Sequence, residues 1–261
     1  MISQSEKFFF ENNGYLVLDQ FLDSSLTERL LETVKRVAVH RRQLVESSVP
    51  HTGITHTNGD NTRIFYILDD DPLLQQMLDY PPAMAYVKSL LNPMPHHHAS
   101  DAILEYGPLD REMGWHLDGH DDGYRGLGCP IPLLQLKIGY YLTDMTEQGQ
   151  GNLCLIPGSH KSTTDPDPED LKRKDLFQGA IQVCAPAGTA ILFHNALWHS
   201  GGPWSKPDGE RVILYYAYEH PWMIASAEHW GYKPDFYNRL PPTQRKLFHG
   251  FVFDPPEYRW G

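Results

Sequence analysis

At 261 residues, with 41% hydrophobic and 21% charged side chains, the chain has enough apolar material for one large packed domain. A formal net charge of −11 argues against nucleic acid as a ligand, and the one basic run, from Lys35 to Arg42, falls on a predicted helix. No apolar stretch approaches the roughly 18 residues of a membrane span, and Cys129, Cys154 and Cys184 form no C-x-x-C pair; a reducing, cytoplasmic setting is expected.

Residues 3–13 read as a short helix closed by Gly14, followed by a strand at 15–18. Ser25 and Glu28 form a capping-box pattern ahead of Leu26, Leu30, Val34, Val37 and Ala38, which recur at helical spacing. A strand is predicted at 63–68 and two short helices at 72–79 and 82–91. From residue 100 the pattern changes to short β-rich segments between Gly and Pro turns: 101–106, 134–142, 152–156, 180–184, 189–193 and 212–218. The acidic, proline-containing stretch 165–174 reads as an exposed loop. A short helix begins at Pro241, and an aromatic, strand-like piece closes the chain. Helices first and strands later predict an α+β fold, a double-stranded β-helix (jelly roll) with helices packed on its major sheet. The expected organisation is a single domain over 1–261, with a helical N-terminal support at 1–99, a jelly-roll core at 100–220 and a C-terminal extension at 221–261.

The chemistry concentrates in Trp115-His116-Leu117-Asp118-Gly119. In extended chain, residues i and i+2 share a face, so His116 and Asp118 present an imidazole and a carboxylate together. Two histidines and one carboxylate on one face of a metal leave positions open for reactants, the arrangement of non-haem Fe(II) sites. His199 follows the predicted strand 189–193 and offers the third ligand; His120 and His194 are competitors for the two histidine positions. Twelve residues beyond His199 comes Arg211, whose planar guanidinium suits a bidentate carboxylate, with Ser205 between them as a further donor. Lys137 shares a strand face with Gly139 and Tyr141. If that face points inward, the ammonium needs an anionic partner, and a bound cosubstrate is one candidate. The run His96-His97-His98 reads as packing or surface residues, with His98 able to face a cavity.

These segments together resemble the phytanoyl-CoA dioxygenase-like (PhyH) family of Fe(II)/2-oxoglutarate-dependent oxygenases. The resemblance runs from residues 10–18 through Trp115-His116-Leu117-Asp118, Tyr141-Leu142-Thr143-Asp144 and the 151–160 block ending Pro157-Gly158-Ser159-His160, to His199 and Arg211. It implies His116, Asp118 and His199 as ligands of Fe(II), Arg211 as the anchor of the cosubstrate 2-oxoglutarate, and O2 as the oxidant. His160 is read as a structural member of a turn. It further implies oxidation, by default hydroxylation, of a small molecule with release of succinate and CO2. Arg63, Trp115 and His120 are the substrate-side candidates. Halogenation is disfavoured, because a halide needs the position that Asp118 occupies. Two other classes fit a jelly roll: a cupin-like metal-dependent non-oxygenase, which leaves Arg211 without a role, and a silent binding module, which predicts a broken triad.

Overall fold

The computed structural model describes residues 2–110, 112–119, 124–223 and 231–248. Helix α1 (Gln4–Asn13) opens on a reciprocal capping box: the Ser3 hydroxyl accepts the Glu6 amide, and the Glu6 carboxylate accepts the Ser3 amide. It ends where Gly14 takes φ 80°, turning the chain into β1 (Tyr15–Leu18). Helix α2 (Ser24–Glu46) starts ahead of the predicted Ser25 cap. Asp23 takes that position, its carboxylate accepting the Leu26 amide at 2.8 Å, where a negative charge also suits the helix's positive end. Leu30, Val34, Val37 and Ala38 are buried at the predicted spacing.

Among the described residues, ten strands form two sheets. β1, β2 (Ile54–Asn58), β3 (Asn61–Phe65), β4 (His96–Tyr106), β5 (Gln135–Tyr141), β8 (Ala190–His194) and β10 (Glu210–Glu219) make a seven-stranded sheet in the order β1-β8-β5-β10-β4-β3-β2. β6 (Leu153–Leu155), β7 (Ile181–Gln182) and β9 (His199–Gly201) make a smaller one, ordered β7-β6-β9. All the strand pairings are antiparallel. The predicted jelly roll is the observed architecture.

Strand alternation sorts the large sheet into two environments. On β10, Val212, Leu214, Tyr216 and Tyr218 join the core shared with the helices, while Ile213 and Tyr215 join a second core facing the small sheet. On β5, Leu136, Ile138 and Tyr140 take the helix side and Tyr141 the inner side. Helices α3 (Pro72–Gln76) and α4 (Pro81–Leu90) close the outer core with Leu74, Ala83 and Val87.

Several elements differ from expectation. The strand predicted at 63–68 stops at Phe65, because Tyr66 adopts a left-handed conformation (φ 59°) and a 3-10 turn follows at Ile67–Asp69. β2 was not predicted; its Thr and His residues are mostly exposed, so it lacks apolar alternation. β9 is only three residues long. The loop 165–174 contains one helical turn, Pro168–Leu171, capped by Asp167. Besides the two strands expected in the N-terminal hundred residues, β2 and the first part of β4 also lie there. Towards the C-terminus, Pro234–Arg239 forms a helix absent from the prediction, and Phe236 and Phe248 bury themselves in the outer core. The strand-like reading of the last residues falls outside the described ones. Among the described residues no helix is long and apolar enough to cross a membrane.

Candidate metal centre

His116 and His199 face each other across a single antiparallel β-bridge. Each donates its backbone N–H to the other's carbonyl, at 3.0 and 3.1 Å, which brings the imidazole centroids to 4.2 Å. The Asp118 amide donates to the Asn195 carbonyl at 2.9 Å, continuing the same contact between the two segments. One ligand atom from each of His116, Asp118 and His199 lies within 4.8 Å of the others.

The ring tautomers suit a cation. His116 Nδ1 lies 2.9 Å from the Gly114 carbonyl and His199 Nδ1 2.9 Å from the Leu197 carbonyl, so each carries its proton there. Both Nε2 lone pairs are then left for the shared site, at 4.0 and 3.5 Å from the Asp118 carboxylate. Burial pushes the His199 imidazole down to about 3, keeping it neutral and able to ligate despite the nearby Asp118 carboxylate. For Asp118, burial acts upwards, but the Lys137 ammonium beside it acts downwards, and the carboxyl is held well below its usual range. Two Nε2 atoms and a carboxylate converging on one point are the donor set that a hard-to-borderline divalent metal takes.

Lys137 faces inward, which decides between the two directions that its alternation with Gly139 and Tyr141 left open. Its ammonium sits 3.3 Å from Asp118 and over the Tyr215 ring at 5.1 Å. Behind the triad opens a cavity of about 450 Å3 whose wall includes Lys137, Phe193, His199, Tyr215, Arg63 and Arg211. Arg211 is buried; it donates to the Gly151 carbonyl and the Glu105 carboxylate, while its Nε has no hydrogen-bond partner. The guanidinium lies flat against Gly201, where an added Cβ would come within 2.9 Å of its terminal nitrogen. Glu105 was missed in the sequence; the signal was its register position, directly opposite Arg211 on β4.

A family model, phytanoyl-CoA dioxygenase (PhyH), matches residues 10–210. The chain belongs to this family. Within curated relatives it is 31% identical over 173 residues to Dioxygenase af480 of Aspergillus fumigatus, covering 65% of this chain and 52% of that one. The chain thus spans about half the length of the relative it matches. Among solved structures, EctD from S. alaskensis superposes with a TM-score of 0.66 at 21% identity, covering 84% of this chain and 78% of that one. HygX from Streptomyces hygroscopicus, with nickel and 2-oxoglutarate bound, superposes at 0.64 with 16% identity, over 85% and 89% of the two chains. SnoK, a non-heme alpha ketoglutarate dependent carbocyclase from nogalamycin biosynthesis, superposes at 0.63 with 16% identity, over 92% of each. These likenesses establish the jelly-roll fold.

Other predicted site residues of this PhyH-family chain are distributed as follows. His194 is buried away from the triad; its Nδ1 accepts the Ala196 amide and its ring packs on His160 at 4.8 Å. His160 reaches the Glu11 carbonyl, and Ser159 accepts the Trp198 amide, so the Pro-Gly-Ser-His turn ties distant segments together. Arg63 lines the cavity and donates twice to Asp101, at 3.0 and 3.2 Å. Trp115 does not line the cavity. Alternation turns it opposite to His116, into a small cluster against Phe177. Ser205 is exposed beside Gly149 rather than on the cavity wall, because its amide pairs with the Gly149 carbonyl across a turn. His120 lies outside the described residues.

Proposed function

We propose that the chain is a non-haem Fe(II)- and 2-oxoglutarate-dependent dioxygenase that oxidises, by default hydroxylates, a C–H bond of a small molecule. The observation that carries this reading is the convergence of His116, Asp118 and His199 on one point, with His199 also lining a cavity whose wall includes the buried Arg211. When bound, Fe(II) with 2-oxoglutarate and O2 supplies the oxidising power, and succinate and CO2 leave as co-products.

The chain's own residues bind and orient. His116, Asp118 and His199 hold the metal on one face, leaving the cavity side open to ligands. Arg211, braced by Gly151 and Glu105, would hold a carboxylate of 2-oxoglutarate with its remaining N–H groups. Phe193 and Tyr215, which line the same cavity, would shield that contact from water. Lys137 compensates the Asp118 charge before metal arrives and stands close enough to accept a carboxylate afterwards. Ser205 takes no part in this reading. Asp118 keeps the metal position that a halide would need, which favours hydroxylation over halogenation. The relatives whose structures hold hygromycin B or nogalamycin RO favour a small-molecule substrate over a macromolecule. Residues 1–261 act as one unit in this proposal, since helices, strands and the segment 231–248 share one outer core.

The test is conversion of 2-oxoglutarate to succinate by purified protein with added Fe(II). Wild type is expected to consume it slowly even without substrate and to show, without oxygen, a visible charge-transfer band requiring both Fe(II) and 2-oxoglutarate. Asp118→Ala should lose both signals. Arg211→Met should weaken 2-oxoglutarate binding at least tenfold and leave metal affinity unchanged. Intact metal binding without 2-oxoglutarate binding or turnover would sink the proposal in favour of a cupin-like non-oxygenase.

A further inference from the structure

The three consecutive histidines on β4 are sorted by a break in strand register. Ala99 pairs with Ala217 on β10, yet the next pair is His97 with Tyr218, so His98 is an extra residue with no partner across the ladder. That is a β-bulge, a device that re-aims a side chain. Without it, alternation would place His97 on the inner face with Ala99 and turn His98 outward. With it, His97 packs on Tyr218 and Phe248 in the helix-side core, and His98 turns inward.

There His98 meets a prepared partner. Glu219, wholly buried at the end of β10, places a carboxylate oxygen 2.7 Å from His98 Nδ1. A carboxylate accepts only, so Nδ1 carries the proton and Nε2 is left with a lone pair. The Gln135 amide nitrogen stands 3.2 Å from both ring nitrogens, which sets it over the ring rather than along that lone pair; it donates to the Tyr124 hydroxyl at 2.9 Å. His98 opens on a second cavity, of about 200 Å3, that it shares with Asp118 and Lys137.

We propose that His98, aimed by the bulge and oriented by Glu219, determines substrate specificity by accepting the hydroxyl of an apolar alcohol. This rests on the oxygenase reading above. A lone pair on Nε2 requires a donor, and the charged side chains lining the cavity already stand in pairs: Arg63 with Asp101, and Lys137 with Asp118. A neutral hydroxyl therefore fits where an ammonium would add an unmatched charge. Phe65, Ala99 and Ala217 give the same cavity an apolar wall for the carbon skeleton.

The experiment uses the full chain loaded with Zn(II) and 2-oxoglutarate and titrated with benzyl alcohol, benzylamine and toluene. Nitrogen-15 and carbon-13 histidine resonances report on His98, assigned through His98→Phe. Wild type should show His98 protonated on Nδ1, an Nε2 shift with benzyl alcohol, and at least threefold tighter binding of the alcohol than of toluene. His98→Phe should erase that preference, and His98→Gln, whose amide oxygen also accepts, should retain part of it. Preference for benzylamine, less than threefold discrimination, no fragment binding, or an unchanged preference in His98→Phe would each overturn the proposal. Repeating the titration without Zn(II) and 2-oxoglutarate separates the two readings. If neither of those binds but the alcohol shift persists, the oxygenase reading fails alone; if both bind without discrimination, the His98 proposal fails alone.

Discussion

Lys137 and Asp118 are mutually dependent while no metal is present. Each is largely removed from solvent, and burial acts against both charges, so each ionised form relies on the other. Lys137→Met is expected to destabilise the metal-free protein by about 2–3 kcal/mol, short of the larger loss when a fully buried pair is broken. Saturating Zn(II) should recover most of that, because a divalent cation replaces the missing ammonium. Urea unfolding with and without Zn(II) measures both, and an equal loss in the two conditions would refute the compensation. Alternation put Lys137 on one face with Gly139 and Tyr141 but left open whether that face points inward or to solvent. Its anionic partner was not legible either, because Asp118 lies on a different segment and only the folded register brings the two together. Trp115 shows the opposite case: alternation with His116 already pointed it away from the site, and its nearness in sequence obscured that.

At the level of elements, α1, the end of β8 and the Pro-Gly-Ser-His turn meet around two buried imidazoles. Gly14 closes α1 at φ 80°, and a Cβ there would come within 2.6 Å of His160 Nδ1. Gly14→Ala should therefore cost about 2–3 kcal/mol, beyond the roughly 1–2 kcal/mol of a left-handed alanine alone, as read by chemical denaturation. Burial, with His160 alongside, pushes His194 down to about 3, and burial also lowers His160. The folded value lies below the unfolded 6.5, so the unfolded chain takes up the proton first. Stability is then complete above about pH 6.5 and falls with acidification towards pH 3, at up to about 1.4 kcal/mol per unit for one proton. Between pH 6.5 and 5, His194→Gln should show a shallower decline than wild type; identical slopes would assign the acid sensitivity elsewhere. The strands β5, β8, β10 and the second half of β4 were readable because they are mostly apolar and aromatic runs between turn residues. β2 and β9 were not, one being polar on both faces and the other too short to show a period. The bulge at His98 left no sequence signal, since three identical side chains give alternation nothing to distinguish.

Across the whole molecule, two cores lie on either side of the large sheet, and the metal centre sits at the edge of the inner one. Helical spacing in α2 and the apolar side of each strand announced the outer core. The contribution of residues 231–248 went unrecognised, because Phe236 and Phe248 lie among prolines and charges without a repeating pattern. Phe236 is fully buried against Tyr232 and Phe248, so Phe236→Ala should destabilise the fold by about 3–5 kcal/mol. Thermal unfolding checks this; a change below about 1 kcal/mol would show that the C-terminal segment is an accessory to the domain rather than part of it.

The bridge between His116 and His199 has a consequence for how such a chain can diversify. Two proposed metal ligands that exchange backbone hydrogen bonds are positioned by strand pairing, whatever the length of the chain that joins them. The joining stretch can therefore lengthen, shorten or be replaced while the donor geometry persists. A slip of one residue in the pairing, by contrast, would present Trp198 or Ser200 where His199 belongs. Loops grafted from relatives between those two histidines should thus alter which molecules are accepted long before they alter metal occupancy.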